Sequence, residues 1–371
     1  MISGELKNAG YKANRGLLDQ KAAFKWLAKF IRGFGGDPDN ITSMSESAGS
    51  VMNLHHLSST ENLYRRAIVH GGSPLLFKPL PQSVAERSYY ETLGLLGLQD
   101  LSADRRIESL LQIQPEMLLT QIPPTIPFNI TQDDESIQTY TFQDVGAFAE
   151  GSKLLPGTQW CRELVIGCCQ LDSQVFEILG MLPKENVIEP FIKALEAHIT
   201  NAATLHKVLD MYGISRATTD ADALVPVLRF ISEVKFCAAA HFYASSWPQD
   251  SYLYHFDELN PWHGPWQGYA THGLELAYLF QNYNEYLNAD QKQVSRAMGA
   301  DMIEFAYGRA PWARFRDQRG FQVYGDSSEN IATWVPYGSE KDGRTTRITK
   351  LRDEVGLDDC ASAIEAFLHL S

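Results

Sequence analysis

The sequence has no long apolar run, no block of like charges and no obvious leader segment. Its 371 residues include no stretch of the roughly 20 apolar residues that a membrane-spanning helix needs. Acidic residues outnumber basic ones, 45 against 32, which argues against a nucleic-acid-binding surface. The N-terminal MISGELKNAGYKANRG has no apolar core of a signal peptide. We therefore expect a cytoplasmic protein, or a secreted one if a preceding segment carries the signal.

The cysteines form no recognisable motif. No CxxC pair is present, which argues against a zinc site and a thioredoxin-like motif. Free cysteine is among the most buried residue types, so we expect most of these thiols to be buried. His55 and His56 do not indicate a metal site, because adjacent residues on a helix point to different faces. We expect neither a metal nor another cofactor. The cysteines are Cys161, Cys168, Cys169, Cys237 and Cys360.

Apolar patterns along the chain predict strands that alternate with helices. Residues 17–31 have apolar positions at helical spacing, and several short β-branched or apolar runs predict strands. Strands separated by helices indicate parallel crossover connections and a sheet covered by helices. We therefore expect an α/β fold with a mostly parallel sheet. The predicted strands lie at 41–44, 65–72, 163–169, 251–257 and around 321–325.

The segment NITSMSESAGSVMNLHH, residues 40–56, has a serine between a predicted strand and a predicted helix. Ser45 and Gly49 are small residues two positions before and after Ser47, as in a nucleophile elbow. Such a turn strains the backbone and places the serine hydroxyl beside a helix N-terminus. By composition alone the pattern would occur by chance in about one chain in four of this length. The strand and helix on either side make Ser47 a candidate nucleophile.

A longer block around this serine resembles that of the type-B carboxylesterases, the cholinesterase-like branch of the α/β-hydrolases, and the fungal members most. The resemblance covers essentially the whole chain. It implies an α/β-hydrolase fold in which 1–371 form a single domain, with mainly helical insertions at about 75–160 and 174–250. It also implies hydrolysis of a small-molecule carboxylic ester through an acyl-enzyme. The matching segments are NRGLLDQKAAFKWLAKFIRGFGGDPDNITSMSESAGS, YLYHFDELNPW, THGLELAYLF and FAYGRAPW.

The resemblance implies a catalytic triad of Ser47, Asp172 and His272. His272 begins HGLE, which matches the HG-E motif of the family, and Asp172 stands five residues after Gly167, where the family more often has Glu. Glu177 is an alternative acid. The order Ser, Asp, His is that of the α/β-hydrolases, and each residue follows a predicted strand.

These residue types suit ester hydrolysis. A serine hydroxyl is a poor nucleophile unless a base removes its proton, and His272 can do so near neutral pH. Asp172 would hold the imidazole in the required tautomer and stabilise its charged form. We expect Glu46, beside the nucleophile, to be a buried structural acid.

The expected oxyanion hole has one identifiable donor, the N–H of Ala48. In the family the remaining donors come from an upstream HGGG-type loop, and no HGG precedes Ser47. The resemblance therefore implies a member without its N-terminal portion and with weak activity, since one lost donor costs roughly 10²–10³ in turnover.

Two alternatives stay open: a catalytically silent truncated homologue, or a non-enzymatic cholinesterase-like binding protein. The retained triad argues against the second. Substrate identity and oligomeric state are not indicated.

Overall fold

A computed structural model describes residues 2–123, 125–133, 137–150, 155–339 and 343–369. The chain divides into two compact units. We call Met1–Ile31 with Phe77–Tyr140 the helical unit, and Arg32–Leu76 with Thr141–Ser371 the sheet unit. The single domain with insertions at about 75–160 and 174–250 stays a prediction. Within the first of these insertions, 124, 134–136 and 151–154 lie outside the described residues.

Helices and strands alternate along the sheet unit, as the sequence predicts. The strands are β1 (Thr42–Glu46), β2 (Arg66–His70), β3 (Glu163–Cys169), β4 (Asp250–Phe256), β5 (Gly320–Tyr324) and β6 (Ala332–Pro336). The helices are α1 (Gly4–Asn8), α2 (Arg15–Phe30), α3 (Ala48–His55), α4 (Gln82–Leu95), α5 (Ala103–Gln112), α6 (Pro115–Gln121), α7 (Phe142–Gly146), α8 (Val175–Ile178), α9 (Ile188–His198), α10 (Ala202–Tyr212), α11 (Asp220–Ser232), α12 (Ala239–Ser246), α13 (Leu274–Leu279), α14 (Ala289–Ala306), α15 (Gly343–Glu354) and α16 (Leu357–His369).

The six strands form one sheet in the order β1-β2-β3-β4-β5-β6. The first five are parallel to one another, which confirms the expected α/β fold, and β6 is antiparallel to β5. Sequence reasoning missed β6, because its five residues, ATWVP, are too few and too mixed to show a period. Its pairing with β5 defines it as a strand.

The central strands are buried along most of their length. Every residue of β2 is buried, and so are all but the first residues of β3 and β4. Such strands read as nearly continuous apolar runs because helices cover both faces of a parallel sheet. One core cluster joins β4 to α14 through Tyr252, Tyr254, Met298 and Phe305. This packing fixes β3 and β4, and the candidate residues lie beyond the carboxyl ends of β1, β3 and β4.

The connection before β4 is an almost continuous helix with a local widening. Between α11 and α12, Glu233–Ala238 form a π-helix, and all six residues are buried. Single π-turns inside α-helices are often found at functional sites. This segment bears Phe236, whose ring packs against His272, and Cys237, whose sulfur is bonded to Cys168 of β3.

The helical unit contains α1, α2, α4, α5 and α6 and has its own polar contacts. Glu5 of α1 accepts hydrogen bonds from Tyr89 Oη at 2.9 Å and from Arg106 Nη1 at 2.5 Å. Asn14, with φ of 54°, bonds both the N–H and the carbonyl of Thr131 at 2.8 Å. These bonds tie the N-terminal helices to the 77–140 segment of the same unit. Among the residues that the structure describes, no helix is both long and apolar enough to cross a bilayer.

Candidate active site

Ser47 occupies the sharp turn between β1 and α3. Its φ of 54° and ψ of −123° are rare for any residue but glycine. Its N–H donates to the carbonyl of His70 in β2 at 2.9 Å, and its own carbonyl accepts from the N–H groups of Ser50 and Val51. These bonds hold the unusual backbone in place. The strained turn predicted for Ser47 is confirmed.

Hydrogen bonds satisfy the hydroxyl of Ser45, the small residue two positions before Ser47. Its Oγ donates to the carbonyl of Ile68 at 3.3 Å and accepts from Asn53 Nδ2 at 2.9 Å. The hydroxyl therefore links β1 to β2 and to α3. We infer that this hydroxyl supports the turn.

Two glycines after β2 are closer to the turn than Gly49. A Cβ on Gly72 would lie 2.4 Å from the carbonyl oxygen of Ser47, and one on Gly71 would lie 3.1 Å from Asp172 Oδ1. A Cβ on Gly49 would make only ordinary contact, 3.7 Å from Ser45 Cβ. Sequence reasoning missed Gly71 and Gly72, although two glycines directly after a buried strand were a signal for a close approach.

The three residues of the implied triad lie in a row. His272 Nε2 is 2.7 Å from Ser47 Oγ, and His272 Nδ1 is 2.8 Å from Asp172 Oδ1. Ser47 follows β1, Asp172 follows β3, and His272 lies in the loop after β4. The histidine side chain is 8% exposed and the aspartate side chain is completely buried. This arrangement lets a proton pass between the serine hydroxyl and the imidazole.

Asp172 is fixed by bonds on its own turn. The N–H of Cys169 donates to Asp172 Oδ2 at 2.7 Å, and the N–H of Leu171 donates to the carbonyl of Ala270 at 2.8 Å. The second bond joins the acid turn to the loop that carries His272. Burial raises the pKa of Asp172, and the hydrogen bonds from His272 and from the Cys169 N–H oppose that effect.

Glu46 also contacts the candidate base. Its Oε1 lies 3.0 Å from His272 Nε2, and its side chain is 24% exposed. The expectation of a buried acid is therefore wrong, because the side chain is partly exposed and its carboxylate contacts the imidazole. Its structural role stays a prediction. Burial lowers the pKa of His272, but hydrogen bonds and charges of Asp172 and Glu46 outweigh burial and raise that pKa above its ordinary value of 6.5.

A family model described as "Carboxylesterase family" matches residues 5–357 of the chain. The chain belongs to the carboxylesterase family. Two similar proteins are a para-nitrobenzyl esterase of Bacillus subtilis, 27% identical over 323 residues, and a fumonisin B1 esterase of Sphingopyxis macrogoltabida, 28% identical over 352 residues. These alignments cover 81% and 87% of this chain. Each covers 60% of the relative, so the chain spans about three-fifths of the length of these relatives.

Solved structures of carboxylesterases have the same fold. A thermophilic PNB esterase superposes with a TM-score of 0.69 at 22% identity, covering 94% of this chain and 70% of the other. Another PNB esterase structure gives 0.67 at 22% identity, covering 91% and 68%. These likenesses confirm the α/β-hydrolase fold implied by the sequence.

Two further residues that the sequence singled out, Glu177 and Ala48, lie outside the row of Ser47, His272 and Asp172. Glu177 is exposed on α8 and accepts a hydrogen bond from Trp266 Nε1 at 3.0 Å, so it is not the acid beside His272. Ala48 is exposed at the start of α3. Within the described ranges its N–H has no acceptor, which leaves it available to a ligand oxygen.

All five cysteines are buried, as expected, but two of them are paired. Cys168 and Cys237 form a disulfide with their Cα atoms 5.5 Å apart. Irregular spacing over 69 residues gave no sign of this pair, which only the fold brings together. A nitrogen of His255 lies within 4.8 Å of both sulfurs, the one candidate metal group among the described residues. With both sulfurs in the disulfide, that group has no thiolate to offer a metal.

A buried carboxylate lies behind the acid turn. Cys169 Sγ donates to Glu275 Oε2 at 2.8 Å, and Glu275 is the last residue of the HGLE segment. Burial, followed by the charge of Asp172, raises the pKa of Glu275 to about 7. Sequence reasoning recognised Glu275 as part of a motif but gave it no contact.

Proposed function

We propose that this chain is a serine carboxylesterase that hydrolyses carboxylic esters through an acyl-enzyme on Ser47. The observation that carries the proposal is the row of two short contacts, Ser47 to His272 and His272 to Asp172, built on a strained elbow. Membership of the carboxylesterase family supports the same chemistry. A surface serine would need neither the elbow nor a fully buried partner acid.

In the first half-reaction, His272 Nε2 takes the proton of Ser47 Oγ as the oxygen attacks the ester carbonyl. The Ser–acyl bond forms while the alcohol–acyl bond breaks, and His272 returns its proton to the leaving alcohol. In the second, His272 takes a proton from water as the water oxygen attacks the acyl carbon. The bond between that carbon and Ser47 Oγ then breaks, and His272 returns the proton to Ser47 Oγ, which releases the acid and restores the enzyme. Asp172 holds Nδ1–H throughout and stabilises the imidazolium.

Negative charge develops on the former carbonyl oxygen during each attack. The N–H of Ala48 follows Ser47 and has no acceptor within the described ranges, so it is the donor we assign to that oxygen. Its place in the first turn of α3 adds the favourable field of a helix N-terminus. The relatives have different substrates in their names, so the proposal extends to the carboxylic-ester class and no further.

The test is turnover of p-nitrophenyl butyrate by the purified chain, with Ser47→Ala as the blank. Ser245→Ala is a matched control, because Ser245 is an exposed serine of the same unit whose hydroxyl donates to the carbonyl of Phe242. We expect turnover by the wild type and by Ser245→Ala, and its loss in Ser47→Ala.

Equal rates for wild type and Ser47→Ala, with circular dichroism showing both folded, would contradict the proposal. That result would favour the catalytically silent homologue. Retained binding of ester analogues without turnover would favour the binding protein.

A further inference from the structure

The disulfide joins β3, which leads into the acid turn, to the π-helix that precedes α12. Cys168 is the penultimate residue of β3, and Cys237 lies in the π-helix of Glu233–Ala238. Both residues are completely buried. The elements are 69 residues apart in sequence, so the bond fixes a tertiary contact that is not local.

Each cysteine is next to a residue that contacts the triad. Cys169 follows Cys168, and its N–H donates to Asp172 Oδ2 at 2.7 Å. Phe236 precedes Cys237, and its ring packs edge-on against His272 with centroids 5.6 Å apart. Cys168 is therefore connected to the acid, Asp172, through Cys169, and Cys237 is connected to the base, His272, through Phe236.

A second link, between the acid turn after β3 and the last residue of α11, consists of hydrogen bonds. Ser232 Oγ accepts from the N–H of Ser173 and donates to Ser173 Oγ, both at 2.9 Å. Ser173 directly follows Asp172, so this link also ends at the acid turn. Loss of the disulfide would leave these bonds in place, which predicts a partial effect on the triad.

We propose that the Cys168–Cys237 disulfide is a positioning cross-link that fixes the Asp172 carboxylate against His272, so that its reduction slows ester hydrolysis. This inference rests on the proposed function, since the rate it concerns is that of the triad. Neither cysteine touches the reacting atoms; both act through Cys169 and Phe236. A small displacement of a catalytic group is enough to matter, because about 1 Å of misplacement can cost up to about 10² in rate.

Reduction needs a reagent that can reach the sulfurs. A cavity of about 610 Å³ is lined by His255 and Arg344, and both of these residues lie next to the disulfide. A nitrogen of His255 is within 4.8 Å of both sulfurs, and Arg344 Nη1 is 4.0 Å from Cys237 Sγ. A dithiol supplies two electrons and two protons, the S–S bond breaks into two thiols, and the dithiol becomes a cyclic disulfide. Arg344 would favour the thiolate of Cys237 when the bond re-forms.

The first experiment counts thiols and compares rates. Denatured, unreduced wild type is expected to show three free thiols, and five after dithiothreitol. After removal of dithiothreitol under nitrogen, kcat for p-nitrophenyl butyrate should fall about tenfold with little change in KM, and oxidised glutathione should restore it. The Cys168→Ala/Cys237→Ala variant should have the lowered kcat of the reduced wild type, and dithiothreitol should not change that kcat further. Cys360→Ala, which removes a buried free cysteine, should behave as wild type.

The second experiment separates positioning from general loosening. Asp172→Asn already lacks the contact that the disulfide protects, so its residual activity should not fall further on reduction. In the proton spectrum, the low-field resonance of His272 Nδ1–H should weaken on reduction of the wild type and be absent in Asp172→Asn. This resonance needs no turnover, so it tests the cross-link even if Ser47→Ala hydrolyses as fast as wild type and the proposed function fails.

Three outcomes would overturn the inference. Five free thiols in unreduced protein would show that the cross-link does not form. Full reduction that leaves both kcat and the His272 resonance unchanged would show that it does not position the triad. An equal fall of kcat in Asp172→Asn and wild type would show that reduction acts through general loss of structure.

Discussion

The two nitrogens of His272 contact differently built parts of the sheet unit. On the acid side, Nδ1 contacts one acceptor, Asp172, which is completely buried and held by the Cys169 N–H. On the nucleophile side, Nε2 lies near two oxygens, Ser47 Oγ at 2.7 Å and Glu46 Oε1 at 3.0 Å, and Glu46 is partly exposed. On the acid side a single carboxylate, that of Asp172, faces Nδ1. On the nucleophile side the Ser47 hydroxyl and the Glu46 carboxylate compete for Nε2.

This difference separates two kinds of control over one imidazole. Removing a partner from a fully buried pair leaves an uncompensated polar group, which is costly. Changing a partly exposed partner mainly shifts the balance of protonation. We therefore expect acid-side changes to cause large losses of rate or stability, and nucleophile-side changes to move the pH dependence.

The largest expected effect follows from breaking the acid side. Asp172→Asn keeps the shape but donates where Asp172 accepts, so His272 takes the wrong tautomer, and kcat should fall by about 10³–10⁴. Steady-state hydrolysis of p-nitrophenyl butyrate measures this. Glu177→Gln is the matched control, since Glu177 is a nearby acid bonded to Trp266, and it should be near wild type. Comparable losses in both variants would contradict the assignment of the acid.

The disulfide next to the acid turn should also contribute a large part of the free energy of unfolding of the sheet unit. The disulfide closes a loop of 69 residues, for which chain entropy predicts about 4 kcal/mol of stabilisation. Urea unfolding with and without dithiothreitol should show a lower midpoint for the reduced protein. The Cys168→Ala/Cys237→Ala variant should have a low midpoint in both conditions. Unchanged midpoints would contradict this expectation, because they would mean that reducing the disulfide does not raise the conformational entropy of the unfolded chain enough to lower stability.

A smaller loss should follow from crowding the nucleophile side. In Gly72→Ala the new Cβ meets the Ser47 carbonyl oxygen at 2.4 Å, so the elbow must shift, and kcat should fall about 10- to 100-fold. Gly49→Ala adds the same atom in ordinary contact and is the comparison variant. If Gly49→Ala were the more damaging of the two, the elbow would be crowded from the helix and not from β2.

The competition at Nε2 predicts a shift in pH dependence. His272 must be neutral to accept the Ser47 proton, so activity should rise with pH through its pKa, which lies above 6.5. Glu46→Gln removes one of the charges that raise this pKa. The rising limb of kcat/KM should therefore move to lower pH, by about one unit, equivalent to about 1.4 kcal/mol. A limb that stays in place or moves to higher pH would contradict a charged contact between Glu46 and His272.

The smallest effect is expected for Ser45→Gly. The change removes a hydroxyl that bonds Ile68 and Asn53, which should cost about 1 kcal/mol in unfolding free energy with less than a twofold change in kcat. Urea unfolding and steady-state kinetics measure the two quantities. A more stable or markedly faster variant would show that Ser45 strains the turn.

The residue pattern along short segments was enough to predict the fold class, most strands and the turn that carries Ser47. The α/β fold, the strands that became β1 to β5, and the turn at Ser47 all follow from apolar runs and small residues. The row Ser47, His272, Asp172 was implied by family resemblance, and the folded chain places these residues together. β6 escaped prediction because its pairing with β5, and not its five residues, makes it a strand.

The contacts missed from sequence are those between distant segments. The disulfide partners are 69 residues apart, and nothing near either one indicates the other. Gly72 matters because β1 and β2 are neighbours, and Glu46 faces His272 because the loop after β4 folds over the elbow. Each depends on packing between elements, which periodicity along one element cannot show.

The central claim is that Ser47 is a nucleophile activated by His272 and Asp172. Its most direct test is labelling with a fluorophosphonate, followed by mass spectrometry of the digested protein. The account predicts one label per chain, on the peptide containing Ser47, no label in Ser47→Ala, and labelling of Asp172→Asn at least about 10²-fold slower. A label on another residue, or equal labelling rates in wild type and Asp172→Asn, would contradict it.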